Sequence, residues 1–396
     1  MMVDEMKQHL KEVIIPFWKS MKDEECGGFY GYLDYDLNLD KKAVKGCILN
    51  SRITWFFSQA YLVLKDIGEL DESLLAMANH GFSFMEQYCM DQEFGGIYWS
   101  MNFDGSPNET IKHTYNQAFS IYALSAFYEA TGNQKALKMA MELFEIIETK
   151  CRDEEGYLES FDREFKLIDN EKLSENGVIA YRTMNTLLHV FEAYTELFKV
   201  TQEEKVKEKL LWMMDVFADK MYNPILHRQE VFFDKEYHSL IDLHSYGHDI
   251  ETAWLIDRGV EVVGLKNYEA KMTPITADLT REIFEVAFNG DSLHNECENG
   301  HVNTSRIWWV QAESVVGFLN GYQKDPDRVE YMAAAKKQWN YIKEFMIDTR
   351  KGSEWYWEVD MNGQPTSKKP IVEPWKCPYH NGRMCLEVIR RAKYVK

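Results

Sequence analysis

The segment from His244 to Glu251 reads His-Ser-Tyr-Gly-His-Asp-Ile-Glu and concentrates groups that can move protons. Imidazole titrates near neutral pH, which makes histidine the usual proton-transferring side chain in enzymes. In a helix, His244, His248 and Glu251 can share one face, because they are spaced four and three residues apart. A carboxylate one turn away can orient an imidazole and raise its basicity. The spacing therefore predicts an acid–base pair, His248 with Glu251, at the start of a helix.

The same three side chains could instead hold a metal ion, since they would offer three ligands on one face. The spacing differs from the HExxH pattern of zinc enzymes, and a pair of histidines one turn apart is a weak indication of a metal. Acid–base chemistry is the favoured interpretation. We therefore expect no metal at these residues, and we assign His244 a structural or supporting role.

A second cluster occupies residues 374–383, where Trp, Tyr, His, Asn and Arg accompany two prolines. Proline fixes its own backbone angle and is well tolerated at the first turn of a helix, so this run predicts a rigid start to the last helix. Trp375 and Tyr379 beside His380 favour a buried, shaped site over an exposed histidine. His380 is therefore the second candidate for proton transfer.

Arg52 lies in an otherwise apolar helical run, residues 48–57. A charge there must be paired or must face a polar cavity, and a buried ion pair and substrate binding are equally open. Trp308 and Trp309 are adjacent, so on a helix they cannot face the same way, and one of them could stack on a sugar. The remaining candidates for lining a cavity are His113, Tyr115, Asn185, His189 and Trp375.

Six copies of a motif recur, each a turn followed by alternating aromatic and polar residues and a second turn. They begin at residues 27, 95, 156, 229, 289 and 352. The alternation predicts a small β-hairpin in each copy, and two helix-length segments separate successive copies. The predicted helices are approximately 3–22, 45–65, 70–90, 112–130, 133–150, 174–199, 202–222, 245–264, 266–288, 305–324, 326–348 and 375–392.

Twelve helices in six antiparallel pairs predict an all-α fold. We expect a closed (α/α)6 barrel, residues 1–396 forming a single catalytic domain, with the hairpins at one mouth and the first helix pairing with the last. An open solenoid is the alternative, but no unit has the polar outer face of a capping repeat. The helix after each hairpin carries the polar and aromatic groups. These six helices should be the inner ones, with their first turns around one cavity.

Composition narrows the functional classes. A net charge of -19 disfavours nucleic acid and anionic membranes as partners, because both require a basic face. Seven scattered cysteines without a CxxC pair favour reduced thiols in the cytoplasm. The first 22 residues lack the apolar core of a signal peptide, and no apolar run reaches membrane-spanning length. The chain has no GxGxxG, P-loop or GxSxG motif, so nucleotide and serine-hydrolase chemistry have no support.

The chain resembles the N-acylglucosamine 2-epimerase superfamily in four segments: Ser51-Arg52, residues 112–119, residues 244–251 and residues 375–383. The resemblance implies an (α/α)6 barrel, no cofactor, and inversion at C2 of a reducing sugar. By this resemblance His248 and His380 match the two catalytic histidines, and Glu251 matches the acidic partner of the first. The residues that match the sugar pocket are Arg52, Tyr115, Asn185, His189, Trp308 and Trp375.

Within the superfamily, the nearest likeness is to members that act on a reducing disaccharide. Relatives that isomerise mannose or epimerise monosaccharides are the alternatives. We expect the partner to be a small reducing disaccharide, and the protein to be a monomer or a weak homodimer.

The implied mechanism begins when the sugar opens to its aldehyde, which acidifies the C2 proton. A neutral histidine, expected to be His248 oriented by Glu251, removes that proton to give a cis-enediolate, and His380 is the partner acid or base. Arg52, with Asn185 and His189, would stabilise the charge on O1 and O2.

Two other functional classes are open. A glycoside hydrolase needs two carboxylates that flank a glycosidic bond, with Asp249, Glu251 and Glu313 as candidates. A non-catalytic sugar-binding protein would use the same cavity without exchanging the C2 proton.

Overall fold

A computed structural model describes residues 2–173, 176–365 and 368–395. Six helices form a closed inner ring: each packs against the next, and the last packs against the first. Their apolar side chains are buried on nearly all faces, because each helix has inner neighbours on two sides and an outer helix behind it. The inner helices are Cys47–Asp66, Thr114–Thr131, Met184–Thr201, Tyr246–Val263, Trp308–Lys324 and Tyr379–Arg390.

An outer helix packs behind each inner one. Four of the outer helices contain a π-helical turn, which ends three of them and interrupts the first. The outer helices are Met2–His9 continued by Leu10–Ile14 and Ile15–Ser20, Glu72–Phe84 with Met85–Cys89, Gln134–Lys150, Glu204–Val216 with Phe217–Met221, Lys266–Val286, and Val329–Tyr341 with Ile342–Met346.

The first of these outer helices packs against the last inner helix, Tyr379–Arg390. The predicted closed (α/α)6 barrel is therefore confirmed, and the open solenoid is wrong. The largest error in a predicted helix start is in the third inner helix, which begins at Met184 rather than at residue 174. Residues 176–183 are not helical, and residues 174 and 175 lie outside the described ranges.

Short strands tie neighbouring units together at one mouth. The strand before an inner helix pairs with the strand that follows the next outer helix, and a single bridge between Leu33 and Val372 makes the sixth such link. The five strand pairs are Lys45–Gly46 with Ser100–Met101, Lys112–His113 with Ser160–Phe161, Arg182–Thr183 with Phe232–Phe233, Leu243–Ser245 with Glu296–Glu298, and Arg306–Ile307 with Glu358–Val359. Further strands complete local hairpins: Pro107–Glu109, Leu167–Ile168, Tyr222–Asn223 with Arg228–Gln229, and His301–Asn303.

Five of the loops have the same turn. An Asp or Asn donates its backbone N–H to the residue four positions later, and the residue three positions later has a positive φ. These turns begin at Asp34, Asn102, Asp162, Asp234 and Asp360. The hairpin of Glu296–Glu298 with His301–Asn303 differs, since it turns through Asn299 and Gly300, both with positive φ, as in a two-residue hairpin loop.

The inner helices approach each other closely where glycine removes the side chain. A Cβ on Gly317 would lie 2.3 Å from Cγ1 of Ile250 on the neighbouring inner helix. A Cβ on Gly259 would lie 2.2 Å from the ring of Phe191. Close packing of this kind holds neighbouring inner helices in fixed relative positions. Within the described residues, no helix combines the length and the apolar character needed to cross a bilayer.

Candidate active site

His248 and His380 come together on the indole ring of Trp309. The ring centroids of His248 and Trp309 are 4.7 Å apart, and those of His380 and Trp309 are 5.5 Å apart. Both histidines lie in the first turns of inner helices, although they are far apart in sequence. Gly247 makes room for the indole, because a Cβ there would lie 2.5 Å from it. The glycine in the 244–251 segment is therefore part of the site.

His380 is held from behind by a carboxylate. Its Nδ1 lies 2.7 Å from Oε1 of Glu313, and that oxygen also accepts from Arg383 at 2.7 Å. The other oxygen, Oε2, accepts from Nε1 of Trp254 at 2.9 Å. Burial raises the pKa of Glu313, but the donors Arg383 and Trp254 favour its ionised form. Beside an ionised Glu313, which can only accept, Nδ1 of His380 carries the proton and Nε2 has a free lone pair. Burial, followed by the charges of Arg383 and Arg52, lowers the pKa of His380 well below 6.5. His380 is thus a neutral base with an anion placed to stabilise its protonated form.

His248 has a hydroxyl rather than a carboxylate behind it. Its Nδ1 lies 2.7 Å from Oγ of Ser245, and a hydroxyl can either donate to that nitrogen or accept from it. Burial, followed by the charge of His189, lowers the pKa of His248 to about 3. The predicted pairing of His248 with Glu251 is wrong, because Glu251 binds Arg383 instead.

Glu251 is positioned behind His380. Its Oε1 lies 4.0 Å from Nδ1 of His380, and its Oε2 is buried without a hydrogen-bond partner among the described residues. Burial and the negative charge of Glu313 raise the pKa of Glu251 well above its usual range. Burial therefore favours the protonated form of Glu251, whereas Arg383 opposes it by donating to Oε1.

Arg383 connects three buried carboxyl groups. Its Nη1 donates to Glu192 at 2.5 Å, and its Nη2 donates to Glu313 at 2.7 Å and also to Glu251. Arg383 belongs to the cluster at residues 374–383, but no role was predicted for it from the sequence. Glu192 was not predicted at all. Glu313 was named only as a hydrolase candidate. Since Glu251 and Glu313 share one guanidinium nitrogen, they do not face each other across a cavity as hydrolytic carboxylates do.

A third histidine, His189, has the same arrangement as His380. Its Nδ1 lies 3.0 Å from Oε2 of Glu192, which also accepts from the hydroxyl of Tyr379. Burial lowers the pKa of His189, and the Glu192 carboxylate only partly offsets that effect. In the described part of the chain, Nε2 of His189 has no hydrogen-bond partner, as is also true of His248 and His380. The site thus contains three histidines, each fixed through Nδ1 and free at Nε2.

Arg52 is buried but keeps an uncompensated charge. Its Nη2 donates to the Tyr115 hydroxyl at 2.8 Å, its Nη1 donates to the Trp375 carbonyl at 3.4 Å, and its guanidinium lies 4.0 Å over the Phe119 ring. The described residues offer it no carboxylate partner, and its Nε is unpaired. A buried cation without a counter-ion is suited to a negatively charged or strongly polar ligand. The structure therefore favours substrate binding over the structural ion pair.

The remaining predicted residues divide into two groups. Asn185 is partly exposed and has a buried Oδ1 without a partner among the described residues, so it can receive a ligand hydroxyl. Trp375 packs beside Trp99 at the mouth. Trp308 instead packs on Trp357, with ring centroids 4.6 Å apart, so the position between His248 and His380 belongs to its neighbour Trp309.

His113 does not offer a nitrogen to a sugar. Its Nδ1 accepts from the Tyr115 backbone at 3.3 Å and caps the helix, and its Nε2 lies 3.1 Å from Oδ1 of Asn170. Several polar residues in the first turns of the inner helices likewise bind the hairpins rather than a cavity. Gln117 bonds both backbone groups of Ile97, and Gln311 bonds those of Leu293.

The contacts of His244 fit a structural role. It occupies a position, two residues before an inner helix, where four of the other units have the buried basic residues Lys45, Lys112, Arg182 and Arg306. Its Nε2 lies 2.9 Å from Asp249. His244, His248 and Glu251 therefore bind three different partners, and their ligand atoms are not grouped closely enough to hold one metal ion. The metal alternative built on these three residues is wrong.

Comparison with known proteins identifies one family. Residues 28–381 match the family model of N-acylglucosamine 2-epimerase, also called GlcNAc 2-epimerase. A cellobiose 2-epimerase of Ruminococcus albus is 48% identical over 391 residues, covering 99% of each chain. A cellobiose 2-epimerase of Eubacterium cellulosolvens is 50% identical over 399 residues, covering 97% of each chain. The crystal structure of a sugar epimerase from a ruminal bacterium superposes with a TM-score of 0.96 at 48% identity over 99% of both chains.

Proposed function

Because the chain belongs to the N-acylglucosamine 2-epimerase family, we propose that it is a cellobiose 2-epimerase, which interconverts glucose and mannose at the reducing end of the disaccharide. One observation carries the mechanism: His248 and His380 contact the same indole, and each has Nδ1 occupied and Nε2 free. Two bases beside one aromatic surface suit proton exchange at a single carbon of a sugar stacked nearby. Lactose and other β-1,4-linked reducing disaccharides are expected substrates as well.

Proton removal from C2 is assigned to the histidine that best tolerates a positive charge. His380 has Glu313 behind its Nδ1, and the resulting imidazolium would be stabilised by that carboxylate. His248 has only a hydroxyl behind it, so it exchanges the proton on the other face of the intermediate. The reverse reaction interchanges these roles. This assignment reverses the one expected from sequence, because Glu251 does not support His248.

Arg52 stabilises the intermediate. Loss of the C2 proton places negative charge on O1 and O2 of the enediolate, and an uncompensated buried guanidinium favours that charge. Asn185, with its unpartnered Oδ1, binds a sugar hydroxyl, and Trp309 and Trp375 provide aromatic surfaces for the sugar rings. No step in this mechanism requires a cofactor.

The proposal also covers the domain organisation, the cellular location and the partners of the enzyme. Residues 1–396 act as one catalytic domain, since the sixth unit of the ring combines the first helix with the last. All seven cysteines are free thiols, which supports a reducing, cytoplasmic location. The strongly negative net charge supports a small uncharged sugar rather than nucleic acid or a membrane as partner, and we propose a monomer or a weak homodimer.

The test is to incubate cellobiose with the enzyme in deuterated water and to follow C2 by NMR. We expect deuterium at C2 together with signals of glucosyl-mannose. A ketose product would indicate isomerisation, monosaccharides would indicate hydrolysis, and binding without exchange would indicate a sugar-binding protein. The His248→Asn and His380→Asn variants should both lose the exchange. If both variants kept full activity, the mechanism would be wrong.

A further inference from the structure

Epimerisation at C2 uses two histidines, but the cavity contains a third that is likewise bonded through Nδ1 and free at Nε2. His189 is nearly fully buried, its Nδ1 is bonded to the Glu192 carboxylate, and its Nε2 has no partner in the described ranges. A side chain that served only to donate one hydrogen bond would not need an anion behind it. The Glu192 carboxylate fixes the tautomer and stabilises the protonated imidazole, as a carboxylate does for a general base.

Glu192 is itself held in place by three donors. Arg383 donates to Oε1 at 2.5 Å, and the Tyr379 hydroxyl and Nδ1 of His189 both bond Oε2. Although burial opposes it, Arg383 and His189 hold the pKa of the Glu192 carboxyl well below its usual range. Glu192 therefore stays ionised. An ionised Glu192 requires that Nδ1 of His189 carry the proton. Nε2 of His189 is therefore a lone pair that can accept a proton.

His189 lies on the side of the cavity where Arg52 is found. Its ring packs edge-on against Tyr115, with centroids 5.0 Å apart, and the Tyr115 hydroxyl accepts from Nη2 of Arg52. It also packs at 4.9 Å against Phe119, over which the Arg52 guanidinium is stacked. Since Arg52 is assigned to the oxygens at C1 and C2, His189 lies on the side of the cavity where it can exchange protons with O1 and with the adjacent ring oxygen.

We propose that His189, positioned by Glu192, opens and closes the pyranose ring of the reducing sugar. Nε2 of His189 takes the proton from the O1 hydroxyl, the C1–O5 bond breaks as the C1=O1 double bond forms, and O5 receives the same proton from the imidazolium. Ring closure is the reverse, so the histidine ends each cycle neutral. His189 would be a catalytic residue and Glu192 a positioning residue. The proposal rests on the proposed function, because it concerns the reducing end of the same substrate.

Ring opening can be measured separately from chemistry at C2, because an enzyme that opens the ring accelerates mutarotation. The His248→Asn variant, which should not exchange the C2 proton, is mixed with a freshly dissolved single anomer of cellobiose and followed by polarimetry. We expect it to accelerate mutarotation about as well as the wild type does. Adding His189→Asn should reduce that acceleration at least ten-fold, and adding Glu192→Gln should also reduce it and move its pH profile.

The controls separate folding and binding from catalysis. His189→Asn leaves Glu192 its bonds to Arg383 and Tyr379, so it remains informative if Glu192→Gln fails to fold. His9→Asn alters a buried histidine of the first outer helix and should leave mutarotation and C2 exchange unchanged. If mutarotation survives in the His189 and Glu192 variants, or if the His248→Asn enzyme does not accelerate it, the proposal is overturned. Absence of C2 exchange in the wild type would instead overturn the epimerase assignment.

Discussion

Replacing Glu313 with glutamine tests the central role given to His380. The variant keeps the size of the side chain but removes the negative charge 2.7 Å from Nδ1 of His380. A hydrogen bond to a charged group contributes about 1.5–3 kcal/mol, and this one strengthens as His380 becomes a cation in the transition state. If that contribution is lost, kcat/KM should fall about 10- to 150-fold. Deuterium incorporation at C2 of cellobiose measures the effect directly.

The Glu313→Gln variant should also shift the pH dependence of kcat/KM in a defined direction. The Glu313 carboxylate favours the protonated form of His380, so its removal should lower the pKa of His380 further below 6.5. An enzyme that needs the neutral base loses activity as pH falls through this pKa. The acid limb of kcat/KM should therefore move to lower pH in Glu313→Gln, while the plateau falls.

Glu196→Gln is the matched control, since Glu196 is equally buried and accepts from Arg258 at 2.5 Å and from Lys199 at 3.1 Å, outside the catalytic group. It should lower the melting temperature but leave the C2 exchange rate of the folded enzyme within about two-fold, because it touches no proposed catalytic residue. The reasoning is refuted if a folded Glu313→Gln enzyme exchanges C2 at the wild-type rate, or if its acid limb moves to higher pH.

Three further predictions follow from other contacts. Arg52→Lys should lower kcat about 10- to 100-fold with a smaller change in KM, because an ammonium cannot reproduce the planar fork that bonds Tyr115 and the Trp375 carbonyl; unchanged kcat in steady-state assays on cellobiose would contradict this. Gly247→Ala should displace the Trp309 indole and reduce activity more than stability, which paired melting and exchange measurements would show. Thiol titration of the native protein should modify Cys26 and Cys297 quickly and the five buried cysteines only after unfolding; seven fast thiols would contradict the packing.

The barrel could be predicted from sequence because the motifs that indicate it are local and recur along the chain. Glycine-flanked aromatic motifs recur at regular spacing, and helix-length segments lie between them, so twelve helices and a closed ring follow without any long-range contact. The error at residue 174 arose because the turn signal Asn176-Gly177, in the long connection before Met184, was included in the predicted helix.

The charge pairing in the site could not be predicted in this way. The shared helical face suggested that Glu251 supports His248, but Arg383 from another inner helix competes for that carboxylate and binds it. Glu192 was overlooked, and Glu313 was considered only as a hydrolytic carboxylate, because each is one carboxylate in a helix and only the closed ring brings them to the same guanidinium. A signal was available, since a carboxylate on a helix that is buried on nearly all faces must have a partner.

Polar residues in the first turns of the inner helices were also overinterpreted. Gln117 and Gln311 bond the hairpins, and His113 caps a helix. Only some of these polar side chains therefore face the cavity. His244 could have been recognised from the repeat, because other units have Lys or Arg two residues before the inner helix.

The pairing of the first outer helix with the last inner helix has a consequence for how the chain can be rearranged. In the other five units the outer helix follows its inner partner directly, whereas the sixth unit is assembled from both ends of the chain. Trp355 donates to Nε2 of His9 at 2.8 Å, and Lys343 pairs with Glu5 at 2.6 Å, so late residues hold the first helix in place. A circular permutant that joins the last helix to the first by a short loop, and begins after Ser20, would make all six units equivalent in order. It should fold to the same ring, and during synthesis it would no longer have to wait for the final helix before its first one could dock.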